Sequence, residues 1–362
     1  MEELRDPEQL TPQEPPVAAF TKPEEPNSVF FGRFGMRAGW GFAIYVVLSI
    51  VIMSISGVFA VGLSGQFKAI QQAHAYAAAH PGQVVPPVHR DLMPIFPIAN
   101  DGIEFLGLLG ICWFFAKGER RPMRAYGLGR NRVWDILPGA LWGLAMMTAL
   151  IGVLHAGGWL IFDGLNVHGA TALAFGIKWL IGFICVGFAE EYMFRGYLQF
   201  TLMRGVWGLG EKLSPQSPFS ASFWLAATLM SVLFAAVHIA NGGETAFGIL
   251  QVFVAGMVFS YALWRTGSLW WGVGFHATWD WAQSFLFGVP DSGGLSFGRL
   301  FNTHVAGPKL LSGGTTGPEG SVFGTVALLL TLVAIALVKR GPQPSPEPEP
   351  KPASEGFHNS AA

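Results

Sequence analysis

Charge is scarce in this chain. Only 12% of its 362 residues are Asp, Glu, Lys or Arg, against 51% hydrophobic, and mean hydropathy is +0.42. Soluble domains carry about twice that charge, so the balance excludes an ordinary soluble globular protein. The formal net charge of -1 gives no reason to expect a nucleic-acid partner. Cysteine is scarcer still: Cys112 and Cys185 both lie inside apolar runs. That argues against a disulfide framework and against a Cys-based metal site. The first apolar run begins only near Trp40, so no cleaved signal peptide is expected. A repeat of fixed period and an H-E-x-x-H motif are both absent.

What the chain has instead is apolar runs of roughly 18 to 25 residues, the length that crosses a hydrocarbon core. They predict an all-α polytopic membrane protein with about eight spans, near 40–63, 92–116, 134–160, 174–203, 221–240, 246–264, 268–287 and 321–338. Residues 1–36 and the tail 341–362 are rich in Pro and Glu. They cannot bury enough apolar surface to offset chain entropy and are expected to be disordered, leaving 37–340 as the helical domain.

Charge placement supports that count. Arg33, Arg37, Lys117, Arg120, Arg121, Arg124, Arg130, Arg132, Arg204, Lys212, Arg265, Lys339 and Arg340 fall on one side of eight crossings. Lys68, Arg90, Arg299 and Lys309 fall on the other. The positive-inside rule then makes both termini cytoplasmic, as in a bacterial inner-membrane protein. Segment 65–91 and the Gly-rich stretch 288–320 lie outside; the first includes a possible short helix and carries no functional reading.

Ionisable residues inside a bilayer are costly and tend to mark function. Here they gather in three spans: Glu190, Glu191 and Arg195 in FAEEYMFRGYLQF, His238 in LFAAVHIANGG, and His276 with Asp280 in GFHATWDWAQ. Glu191 and Arg195 share a helical face at i and i+4 and can pair, while Glu190 points about 100° away and stays available as a base. A structural salt bridge is the bland alternative. His238 sits one turn beyond Phe234, and His276 and Asp280 share a face. Singly, each could be an ordinary packed or hydrogen-bonded group. Together they could converge on one cavity, where Glu and His activate water and a second His with a polar neighbour donates to an oxyanion.

EEYMFR, FAAVH and HATWD match E-E-x-x-x-R, F-x-x-x-H and H-x-x-x-N/D. In this order on successive spans they resemble the CAAX protease and bacteriocin-processing family of intramembrane glutamic endopeptidases, over roughly 174–285. The resemblance implies a membrane-embedded protease without cofactor, acting on a membrane-associated peptide or protein near the cytoplasmic leaflet. Glu190 would be the general base, assisted by His238. Arg195 would hold the acidic pair through Glu191, and His276 with Asp280 would match the oxyanion positions. The prenyl-protein endopeptidases carry Asn where Asp280 stands, and an ionised carboxylate cannot donate a hydrogen bond. Asp280 must therefore be protonated or orient His276 instead.

Depth poses a problem for this reading. At 1.5 Å per residue Glu190 lies about 18 Å from the outer end of its span, but His238 lies within about 6 Å of its own. Either the fifth helix is short and its Asn241-Gly242-Gly243 turn is sunk in protein, or a span is misplaced. Four rival readings remain: a zinc protease using two His and a Glu, a rhomboid-type serine protease at Gly62-Leu63-Ser64-Gly65, a transporter using the buried charges, and a non-catalytic scaffold or immunity protein.

Overall fold

A computed structural model describes residues 29–32, 34–81, 91–241 and 243–343. Most of both segments expected to be disordered lies outside these residues, as do Arg33, Arg90 and Gly242. At the end of the first such segment β1 (Phe31–Gly32) pairs antiparallel with β2 (Gly35–Met36).

The rest is helical. α1 (Ala38–Leu63) leads to α2 (Gln66–Ala79), the short helix suspected in 65–91, and then to α3 (Ile95–Glu119). Two 3-10 turns, Met123–Tyr126 and Arg130–Asp135, precede α4 (Ile136–Ala156). Strand β3 (Leu160–Leu165) leads into α5 (Gly169–Glu191). A π-helical segment, Tyr192–Leu198, carries α5 into α6 (Gln199–Gly205), and α7 (Trp207–Leu213) turns the chain. α8 (Pro218–His238), α9 (Ala246–Thr266) and α10 (Trp270–Trp281) follow, and a π-helical turn extends α10 to Leu286. The stretch after it holds β4 (Phe301–Val305) and α11 (Lys309–Ser312), before α12 (Val322–Leu337) ends the described bundle.

Six of these helices are long and apolar enough to cross a membrane. The two remaining predicted spans are the shorter ones, α10 with its π-helical extension and α12. Local chemistry sets several ends. Pro218 opens α8, where a missing N–H costs nothing. The Thr245 and Ser321 hydroxyls accept from Gly248 N–H and Gly324 N–H at the starts of α9 and α12. On α1 and α12, Val47, Ile50, Ile55, Val58, Leu330, Val333 and Leu337 are exposed, as lipid-facing side chains are.

The most extensive helix pairing joins α4 to α10. It depends on glycine. A Cβ at Gly139 would lie 2.1 Å from the Trp271 carbonyl oxygen, and one at Gly143 2.4 Å from that of Phe275. From the other side, a Cβ at Gly274 would lie 2.2 Å from the Ile136 carbonyl oxygen. Small residues four apart let two membrane helices approach backbone to backbone. The Thr278 hydroxyl adds a bond to the Ala140 carbonyl at 2.7 Å. This contact fixes the helix that carries His276 and Asp280.

Most basic residues gather at one end of the bundle, and two sets of contacts tie it together. Buried Glu119, at the end of α3, accepts from Arg121 Nε at 2.9 Å and from an Arg204 guanidinium nitrogen at 2.7 Å. Both arginines also donate to the Phe34 carbonyl between β1 and β2, at 2.6 and 2.7 Å. Arg265 and Arg132 donate to the carbonyls of Val338 and Lys339 beyond α12. The opposite end is built from β3 paired antiparallel with β4, and from the long stretch around β4.

Two substitutions test these contacts by thermal unfolding in detergent. Glu119→Ala strands two buried guanidinium groups and is expected to cost about 3–5 kcal/mol. Gly143→Leu overfills the α4–α10 contact and is expected to cost at least about 1–3 kcal/mol. Gly152→Leu, where an added Cβ meets nothing within 4 Å, should be close to neutral.

Candidate active site

Glu190 and Glu191 are the last residues of α5, where the backbone passes into the π-helical segment. Such segments interrupt helices mostly at functional positions, because the wider turn re-aims side chains. Here Arg195 turns back to Glu191, its guanidinium 3.1 Å from Oε1, and both side chains are 1% exposed. The guanidinium packs 4.1 Å from the Phe234 ring centroid and 5.3 Å from that of Phe259. Gly256 of α9 leaves room for it: a Cβ there would sit 3.1 Å from Arg195.

His276 faces three carboxylates. Its Nδ1 lies 3.2 Å from Glu191 Oε1, and its Nε2 lies 3.4 Å from Asp280 and 3.8 Å from Glu190 Oε2. The ring stacks on Phe259 at 5.0 Å. A carboxylate accepts, so Nδ1–H donates to Glu191 and the opposite nitrogen faces Glu190 and Asp280. His238, the last residue of α8, donates Nδ1–H to the Phe234 carbonyl at 2.7 Å. A carbonyl only accepts, so in the neutral ring Nε2 keeps its lone pair.

Glu190, His238, His276 and Asp280 line one cavity of about 230 Å³. Glu191 and Arg195 stand behind it and hold His276 from the rear. Glu190 Oε2 is buried without a hydrogen-bond partner, a costly state unless a substrate or water meets it. α8 ends at His238, and Ile239, Ala240 and Asn241 beyond it are exposed. The chain just after them meets the 288–320 stretch: the Thr315 hydroxyl donates to the Gly243 carbonyl and Thr245 N–H to the Thr316 hydroxyl.

The Gly-rich stretch 288–320, expected to lie outside, forms a cover over the cavity. It is pinned by β3–β4, by Arg299 to Asp91 at 2.7 Å, by Trp179 Nε1–H to the Phe297 carbonyl, and by Leu92 N–H to the Leu295 carbonyl. It brings Asp291, Ser292 and Glu319 into the cavity wall, and Asn241 and Gln251 join them. Sequence reasoning missed all five. Two more acids, Asp101 and Glu104 of α3, lie close enough to Glu190 to feel its charge. The available signal was the rarity of carboxylates in so apolar a chain.

The cover is itself electrostatically loaded. Ser292 N–H donates to Glu319 Oε1 at 2.8 Å, and Ser284 to Asp291 at 2.8 Å. Burial, with Asp291 adding to it, pushes the Glu319 acid up to about 8, and burial raises Asp291 to about 6. Among the described residues, no three His, Cys, Asp or Glu side chains are grouped so as to hold a metal ion, so the zinc reading finds no ligand set there. Ser64, the rhomboid-type candidate, caps the end of α1 and bonds back to the Val61 carbonyl at 3.3 Å.

The Glu319 shift gives a signed pH dependence. The folded chain keeps that proton up to about pH 8, whereas the unfolded chain releases it near 4.5. Raising the pH through this window therefore lowers stability. Melting temperatures in detergent should fall across it, and Glu319→Gln should flatten the slope. An unchanged slope in that variant would assign the dependence to other groups.

No curated protein and no solved structure matches the chain. A family model does: residues 172–282, which span α5 to the end of α10 and hold all six predicted site residues, match the model described as type II CAAX prenyl endopeptidase Rce1-like. Over this segment, less than a third of the 362 residues, the chain is similar to that family.

Proposed function

We propose that this chain is an intramembrane endopeptidase that hydrolyses a peptide bond of a membrane-associated protein or peptide through water activated by Glu190 and His238. The observation that carries the reading is one cavity holding an unpartnered Glu190 oxygen, His238 and the His276–Asp280 pair, inside the segment matched by the family model. A water there can give one hydrogen bond to the Glu190 carboxylate and one to His238 Nε2, which turns an oxygen lone pair toward the scissile carbonyl. Glu190 takes the proton as the C–O bond forms and passes it to the amide nitrogen as the C–N bond breaks.

The opposite wall meets the oxyanion. With Nδ1–H committed to Glu191, His276 donates from Nε2 only as the imidazolium. Arg195 and Glu191 act as positioning residues, because their pair fixes the ring that does the donating. Asp280 orients that ring, or donates when protonated. No cofactor enters the scheme. A scaffold or immunity role is the reading to beat, since an intact constellation does not by itself establish turnover.

Purified protein in detergent, tried against a panel of membrane peptides, separates these readings. Glu190→Gln and His238→Ala are each expected to lower cleavage by at least about 10²-fold while melting like the parent. Cleavage should persist in a strong chelator, and its loss there would move the assignment to zinc. Full activity in Glu190→Gln would sink the glutamate mechanism.

A further inference from the structure

A second cavity lies at the basic end and shares no lining residue with the one that holds Glu190. It encloses about 790 Å³, and Arg121, Arg124, Arg130 and Arg132 line it together with Asn131 and Ser268. Its walls come from three places: the 3-10 turns before α4, the turn between α9 and α10, and Pro342 with Gln343 beyond α12. These pieces are fastened to one another. Gly341 N–H donates to the Arg265 carbonyl, Arg265 to the Val338 carbonyl, Arg132 to the Lys339 carbonyl, and the Ser268 hydroxyl to the Gly127 carbonyl. Two glycines permit the fit: a Cβ at Gly267 would lie 2.0 Å from the Pro342 carbonyl oxygen, and one at Gly341 1.8 Å from that of Thr266.

The basin is strongly cationic. Residues 120–135 hold five arginines against one acid, Asp135, which Arg132 engages at 2.7 Å. Glu119, just before them, is taken up by Arg121 and Arg204. Guanidinium groups gathered around one space repel one another unless they share an anion, and their planar forks suit phosphate oxygens. The basin also leads into hydrocarbon. An apolar groove of about 350 Å³ runs between α4 and α12, lined by Pro138, Trp142 and Met146 of the first and Leu330, Val333 and Leu337 of the second. Each of the three pieces of chain passes from basin to groove: Arg132 to Pro138, Ser268 to Trp271, and Pro342 back to Val338. The step from Arg132 to Pro138 is about 10 Å. Leu330, Val333 and Leu337 are exposed, as are Trp134, Leu137 and Leu141 at the start of α4, so the groove opens toward lipid.

We propose that basin and groove together bind one anionic phospholipid, its phosphodiester among the arginines and an acyl chain between α4 and α12. Charge selects an anion, and basic pockets between membrane helices hold anionic headgroups by the same physics. The adjoining groove selects an anion that carries hydrocarbon. Inorganic phosphate would leave the groove unused, and a zwitterionic headgroup would bring an ammonium group into the basin. Trp134 stands beside the basin at the level where aromatic side chains meet headgroups. Trp142 Nε1–H already donates to the Thr331 hydroxyl at 3.3 Å, tying α4 to α12. A lipid seated along that seam braces α4, the helix against which α10 and its His276 are packed.

The test titrates the full chain, delipidated in detergent, with phosphatidylglycerol, phosphatidylcholine or inorganic phosphate. Native mass spectrometry reads what binds, and thermal unfolding reads what stabilises. Phosphatidylglycerol should add one molecule per chain and raise the melting temperature, and phosphatidylcholine should need at least about tenfold more. Inorganic phosphate should do neither. Arg124→Gln combined with Arg130→Gln, both at exposed positions, should weaken phosphatidylglycerol binding by about tenfold or more. Ala334→Phe, which fills the groove, should weaken it as well. Each variant is first melted without lipid, so that a folding defect is told apart from lost binding. An equal response to phosphatidylcholine overturns the proposal, as does an equal response to inorganic phosphate. So does undiminished binding in both variants. A second copy of the chain in the groove would appear as a dimer indifferent to lipid, which also overturns it.

Discussion

The Glu191–Arg195 pair is the interaction on which the rest of the site depends. Both groups are withdrawn from water within an apolar bundle, where an unpaired charge would be severely penalised. Three features of the chain accommodate the pair. The π-helical turn after Glu191 brings Arg195 onto the same side, the faces of Phe234 and Phe259 receive the guanidinium, and Gly256 vacates the space it fills. The pair then serves as an anchor, because Glu191 Oε1 also accepts from His276. One buried carboxylate thus links the helix bearing Glu190 to the helix bearing His276.

That link is useful only if α10 sits still, and the glycine contact with α4 supplies the rigidity. In a bilayer there is no hydrophobic drive between helices, so close packing and interhelical hydrogen bonds must hold them. Gly139, Gly143 and Gly274 provide the packing, and Thr278 to Ala140 provides a bond. α10 is a short helix of 12 residues before its π-helical turn, with little surface of its own to spare. The positioning of His276 is therefore a property of α4 as much as of α10.

Much of this was legible in the sequence, for a physical reason. Spans announce themselves by length and hydropathy, and the pairs Glu191–Arg195 and His276–Asp280 follow from helical geometry alone, since i and i+4 share a face wherever the helix goes. Convergence on one cavity was an inference from the rarity of intramembrane charge, and Glu190, His238, His276 and Asp280 do line one cavity, with Glu191 and Arg195 behind it. The cover was not legible. Asp291, Ser292 and Glu319 sit in irregular backbone with no period to read, and they meet the cavity through contacts such as Thr315 to Gly243 and β3 to β4, which link distant parts of the chain.

The cover also accounts for how an irregular, polar wall can exist beside a membrane. Backbone that is neither helix nor closed sheet is tolerated at such depth only when protein or enclosed water satisfies its polar groups. Here the cover satisfies its own: Gly293 N–H to the Thr316 carbonyl, Gln283 to the Pro290 carbonyl, Ser292 N–H to Glu319. The same stretch lends Asp291, Ser292 and Glu319 to the cavity that holds Glu190, so its polar groups face the site as well as one another.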